Sequence, residues 1–132
     1  HNGTFRGNTH AFVTARVAIE KFWADDSFQK DIATKSVILT TALQEIAELI
    51  PGSRLKGRGL MQGIDVGSGD LADDICARAF GKGLVIETSG PEGEVVKILA
   101  PLTTPEATFR KGLNILLDAA RDASVQSSVA AE

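Results

Sequence analysis

Residues His1-Asn2-Gly3-Thr4-Phe5-Arg6-Gly7-Asn8 hold the densest chemistry in the chain. Gly3 lets the backbone approach a ligand closely. Thr4 offers a hydroxyl beside backbone N–H groups. Arg6 supplies a fixed cation whose planar fork suits a carboxylate or phosphate. A helical pattern begins near Thr9, and a helix start presents unpaired N–H groups and partial positive charge. Together these make an anion cradle; the alternative is an ordinary surface loop with an Asn or Thr cap.

The other chemistry-bearing residues are more isolated. His10 has only His1 as a second histidine, short of the three or four protein ligands that zinc takes, so no metal site is expected. Cys76 sits at apolar helical spacing and reads as a small core residue rather than a nucleophile. Gly57-Arg58-Gly59 fails as a dinucleotide fingerprint, because no third glycine falls at the required spacing and a strand follows. Lys97 lies on a strand, where a lone lysine is ordinarily solvated. Glu87 closes the preceding strand and is within reach of Lys97 if the hairpin register allows.

The elements that position these residues follow from periodicity. Ala11, Phe12, Ala15, Ala18, Ile19 and Phe22 give a first helix over about 8–23 a face suited to packing. Asp25 or Asp26 caps a second helix over 27–49, with Leu39, Ala42, Leu43, Ile46, Leu49 and Ile50 inward, and Pro51-Gly52 stops it. Lys30, Lys35, Glu45 and Glu48 are expected on its solvated face. Short strands follow over 54–57 and 59–66, the second placing Leu60, Gln62, Ile64 and Val66 on one face. Asp70 is expected to cap a helix over 71–80, with Ile75, Cys76, Ala79 and Phe80 buried and Gly81 as its end. Residues 84–88 and 94–99 read as a hairpin around the turn 89–93. Thr104-Pro105 starts the last helix, whose apolar face is Phe109, Leu113, Leu116, Leu117 and Ala120. That stripe fades near Asp122, and 124–132 reads as a flexible tail.

At 132 residues, with 43% hydrophobic and 23% charged residues, the composition is that of one soluble domain with a modest core. A net charge of −3 provides no broad basic field for nucleic acid. The single cysteine cannot form an internal disulfide and fits a reducing, cytoplasmic setting. No apolar run reaches membrane-spanning length. The chain opens on His1, without a signal-peptide pattern, and is expected to be the C-terminal part of a longer enzyme.

The His1–Asn8 segment resembles the loop that follows the cofactor lysine in class III pyridoxal-phosphate aminotransferases. Its Arg6-Gly7-Asn8 ending is most similar to the diaminobutyrate–2-oxoglutarate transaminases of ectoine biosynthesis. The resemblance continues, in order, through Arg58-Gly59-Leu60-Met61-Gln62-Gly63-Ile64-Asp65-Val66, Gly83-Leu84-Val85-Ile86-Glu87-Thr88-Ser89-Gly90 and Ala100-Pro101-Leu102-Thr103. It implies an α+β fold of order α-α-β-β-α-β-β-α, the small C-terminal domain of a fold-type-I enzyme, with a mainly antiparallel sheet covered by helices. Residues 1–50 would carry the cofactor-phosphate loop and connecting helices, and 51–123 the small domain.

The resemblance also implies pyridoxal 5'-phosphate as cofactor, with Gly3 and Thr4 contacting its phosphate in the neighbouring subunit of a homodimer or larger homo-oligomer. Lys97 aligns with an arginine that holds a substrate carboxylate in many class III enzymes. Arg6, where most class III loops have a small residue, is the second candidate for that role. The implied reaction moves an amino group between L-glutamate and L-aspartate 4-semialdehyde, giving 2-oxoglutarate and L-2,4-diaminobutyrate. The catalytic lysine lies upstream of the loop in this family, so no catalytic residue is expected in the chain, which alone should be inactive. The alternatives are another class III ω-aminotransferase and a non-enzymatic α+β interaction module.

Overall fold

A computed structural model of the chain describes Gly3 and residues 6–129. Eight elements follow in the order α1 (Thr9–Phe22), α2 (Ser27–Leu49), β1 (Arg54–Arg58), β2 (Met61–Asp65), α3 (Gly69–Gly81), β3 (Glu87–Ser89), β4 (Val95–Ile98) and α4 (Glu106–Val129). This is the expected α-α-β-β-α-β-β-α order. The strands form one antiparallel sheet in the spatial order β1-β2-β4-β3. α2 lies against β1 and β2, α3 against β3 and β4, and α4 packs on both α2 and α3.

One core joins these layers. Leu39, Leu43 and Ile46 of α2 meet Ile64 of β2, Ile75 and Ala79 of α3, Val96 of β4, and Leu113 and Leu116 of α4. The period-two face Leu60, Gln62, Ile64 and Val66 is buried as expected. Gln62 is tolerated there because its amide is satisfied: Thr40 Oγ1 donates to Gln62 Oε1 at 3.1 Å, and Gln62 Nε2 donates to the Gly59 carbonyl at 2.6 Å. Asp65 on the opposite side of the strand is also buried, held by Lys56 at 3.0 Å, Arg54 at 3.1 Å and the Gly67 N–H at 2.9 Å.

Several local expectations are corrected. The α1 stripe is not packed: α1 buries no residue, and Phe12, Val13, Val17 and Ile19 are exposed. Its last turn makes ring contacts only at the junction, where Phe22 and Trp23 stand 5.2 and 5.1 Å from Phe28. Lys35 is not on a solvated face. Its side chain is 3% exposed, with the ammonium enclosed by an ion pair and a carbonyl. Phe80 is 66% exposed, and Ala72 takes its place beside Ile75 and Ala79 on the buried side of α3.

Helix ends account for most of the remaining shifts. Ser68, not Asp70, caps α3, its hydroxyl accepting from the Leu71 N–H. At the other end, Gly83 adopts φ +90°, its N–H donates to the Phe80 carbonyl, and the Leu84 N–H donates to the Ala79 carbonyl. α3 thus ends at Gly81 as expected, but the glycine in the left-handed capping conformation is Gly83. Leu84 is drawn into that cap, so β3 begins only at Glu87. The Thr104 hydroxyl donates to the Pro101 carbonyl, closing a turn ahead of α4. The helix continues to Val129 because buried Ala119, Ala120 and Ala123 extend its inner face past Asp122.

Candidate functional site

The first candidate group lies at the start of the chain. The Arg6 N–H donates to the Gly3 carbonyl at 3.0 Å, and Gly7 adopts φ +79°, which turns the chain into α1. Asn8 caps the helix, its Oδ1 accepting from the His10 N–H at 3.0 Å. A Cβ placed on Gly3 would stand 3.3 Å from the Arg6 stem, so the glycine lets that side chain fold over the backbone. Arg6 is exposed, and the first turn of α1 carries no acidic residue. Thr4 lies outside the described residues.

The second group lies on the β3–β4 hairpin. Glu87 and Lys97 are direct cross-strand partners, and Lys97 Nζ stands 2.8 Å from Glu87 Oε1. The sequence left this pairing conditional on register, and the register supplies it. The Lys97 hydrogen bond, followed by its charge, holds the Glu87 carboxyl below the usual carboxylate range. Lys97 is two-thirds covered and Glu87 mostly exposed, so the pair is fixed from the lysine side. Gly63 of β2 lies opposite Lys97 on the other flank. A Cβ there would come within 2.7 Å of the Val96 carbonyl and 2.9 Å of Val95 Cγ1, so glycine alone fits.

Lys97 and Glu87 contribute the charged lining of a cleft of about 420 Å³. Its apolar walls include Ile86 and Ile98 from the sheet side and Phe109, Leu113 and Leu116 from α4. Pro101 and Thr104, from the turn that follows β4, close one side. An apolar slot with one cation and one anion suits a short aliphatic ligand carrying a charged end. Sequence reasoning found the two charges but not the cleft, because its walls come from three separate elements. Among the described residues, no hydrogen bond or ion pair joins the Gly3–Arg6 turn to the Lys97–Glu87 pair.

Cys76 is partly buried against the core, and burial together with the Asp73 charge raises its thiol above the ordinary value. A protonated, inward thiol fits a packing role. No helix among the described residues is long and apolar enough to cross a membrane.

Comparison with known proteins places this geometry in a family. The family model described as "Aminotransferase class-III" matches residues 1–120. A diaminobutyrate–2-oxoglutarate transaminase of Vibrio cholerae is 53% identical over 118 residues, covering 88% of this chain and 29% of that protein. The protein of the same name from Halomonas elongata is 50% identical over 120 residues, covering 88% and 28%. The chain therefore spans less than a third of the length of these relatives. A lysine aminotransferase from M. tuberculosis shares the fold, with a TM-score of 0.76 at 22% identity over 93% of this chain and 28% of that one. The α+β architecture and the matched segment agree: the chain belongs to the class III aminotransferases.

Proposed function

We propose that this chain is the C-terminal part of a pyridoxal-phosphate-dependent transaminase. In this reading it moves an amino group reversibly from L-glutamate to L-aspartate 4-semialdehyde, giving 2-oxoglutarate and the L-2,4-diaminobutyrate used in ectoine synthesis. The observation that carries this reading is the likeness, at 53% and 50% identity, to two proteins named for that reaction. The Lys97–Glu87 pair beside an apolar cleft adds chemical support, because both substrates are short aliphatic chains ending in charged groups.

The residues ahead of α1 fit the cofactor's phosphate. Gly3 offers bare backbone, Arg6 a cation folded over it, and the helix start has no competing carboxylate in its first turn. Gly3 and Thr4 would hold the phosphate, in an active site shared between two subunits of a cytoplasmic homo-oligomer. When bound, the cofactor supplies an electron sink for the bonds to the amino-bearing carbon. The chain's own part is to orient. Lys97 holds a substrate carboxylate as a point charge, lacking the two-pronged grip of an arginine. The α4 and β4 walls exclude water around the aliphatic segment. Residues 1–50 would join this small domain to a cofactor-binding domain that carries the catalytic lysine, so the 132 residues alone would not transaminate.

The test is amino-group exchange between L-2,4-diaminobutyrate and 2-oxoglutarate by the intact enzyme. A preference for another amine would retain the cofactor chemistry and replace the substrate with that of a different class III ω-aminotransferase. Failure to bind the cofactor at all would favour an α+β interaction module.

A further inference from the structure

Lys35 is placed unlike any other lysine described in the chain. It projects from the middle of α2 and is 3% exposed, yet it carries an ammonium. A buried charge persists only where partners replace its water. Lys35 has two such partners. Asp31, one turn earlier on α2, stands 2.6 Å from Nζ. The other is the main-chain carbonyl of Leu102, 67 residues away in sequence, at 3.1 Å.

The Leu102 bond is the informative one. Pro101 to Thr104 form a tight turn whose shape is set internally, by the Thr104 N–H at 3.0 Å and the Thr104 hydroxyl at 2.8 Å, both donating to the Pro101 carbonyl. Those bonds do not fix where the turn lies relative to the helix layer. Pro101, Leu102 and Thr103 are themselves exposed, so burial holds the turn only weakly. The Lys35 ammonium ties it to α2. The same turn supplies Pro101 and Thr104 to the cleft wall, next to Ala100, and Lys97 lies four residues before Pro101 on the strand that feeds it.

We propose that Lys35 is a positioning residue for substrate binding: by holding the Leu102 carbonyl it sets the wall of the Lys97 cleft. The inference rests on the reading of that cleft as the substrate site. Lys35 touches no cleft volume itself and acts entirely through the turn. Asp31 keeps the ammonium in place but does not reach the turn.

The experiment uses Lys35→Met in the intact enzyme, which keeps the aliphatic stem and removes the ammonium. Lys35→Gln is read in the same way if the methionine variant does not fold. Two quantities are measured: amide hydrogen exchange at Leu102, Thr103 and Thr104, and the steady-state constants for L-2,4-diaminobutyrate. Loss of a hydrogen bond from a charged donor is expected to speed exchange at the turn about tenfold and raise KM about tenfold, with kcat within about twofold. A purely structural lysine would not separate KM from kcat in this way. Unchanged exchange at the turn would overturn the tether itself. Faster exchange with unchanged KM would overturn the inference, and an unchanged KM in Lys97→Ala as well would remove the reading of the cleft on which it rests. A loss of kcat at constant KM would also overturn it.

Discussion

Lys97 and Glu87 face each other across β3 and β4 with Nζ 2.8 Å from Oε1, and this contact sets the charge of the cleft. A lysine in that place is not a free cation. It arrives at any ligand already paired on one side, with the remaining donors of its ammonium directed elsewhere.

Lys97→Ala is expected to raise KM for 2-oxoglutarate by about tenfold to a hundredfold, the range of one hydrogen bond to a charged group. Lys97→Arg should stay within about threefold of the parent, since the charge is kept and only the geometry changes. Steady-state kinetics with both variants check this. An alanine variant with the parent KM would move the carboxylate anchor away from Lys97, leaving Arg6 as the candidate.

Thr4 is proposed as one donor among several to the cofactor phosphate. Replacing it with alanine in the intact enzyme should weaken cofactor retention partially, by about 1.5–3 kcal/mol. Dialysis followed by absorbance titration with the cofactor measures this. Identical titration curves for parent and variant would remove Thr4 from the site.

Asp65 ties β1 to β2 under acid-sensitive control. The Lys56 hydrogen bond is the largest cause of its lowered pKa, followed by the Gly67 N–H, with Arg54 adding to both. A carboxyl depressed below its ordinary 3.8 stabilises the fold fully above that value and loses its contribution as pH falls toward the depressed one. Asp65→Asn should therefore lower stability at neutral pH and flatten the acid limb of a stability–pH curve below about pH 4. An acid limb with the parent's slope in the variant would contradict this assignment.

Two glycines should respond oppositely to alanine. At Gly63 the added methyl would overlap the Val96 carbonyl and Val95 Cγ1, at 2.7 and 2.9 Å, and overpacking of this kind costs about 1–3 kcal/mol. At Gly112, inside α4, the nearest neighbour is Leu84 Cδ1 at 3.5 Å, an ordinary contact. Gly112→Ala should stabilise by about 0.5–1 kcal/mol through helix propensity. Denaturant midpoints for the two variants should move in opposite directions, and a shared direction would contradict the packing described at one of these positions.

Much of the fold was legible because strong local patterns agreed with the tertiary structure. The Asp25-Asp26 break and the Pro51-Gly52 stop gave both ends of α2, and the Gln62–Ile64 face was buried as the alternation implied. The misses have two physical causes: a partner remote in sequence, or a local helix end that competed with the pattern. The α1 stripe has the spacing of a packed helix, but apart from Phe22 against Phe28 no described residue packs on it. Lys35 reads as a surface charge until Leu102 is brought beside it. β3 starts late because the Leu84 N–H serves the end of α3. The site was half legible in the same sense. Lys97 and Glu87 were recognisable as residues, whereas the cleft beside them exists only once α4 lies against the hairpin.

Under the proposed function, the intact enzyme carries pyridoxal phosphate and exchanges nitrogen with diaminobutyrate. The direct measurement is the visible absorbance of the purified intact enzyme supplied with cofactor, before and after L-2,4-diaminobutyrate is added without any keto acid. The cofactor's visible band is expected to disappear and to return on addition of 2-oxoglutarate. A band that is unmoved by diaminobutyrate but responds to another amine, or no band at all, would contradict that function.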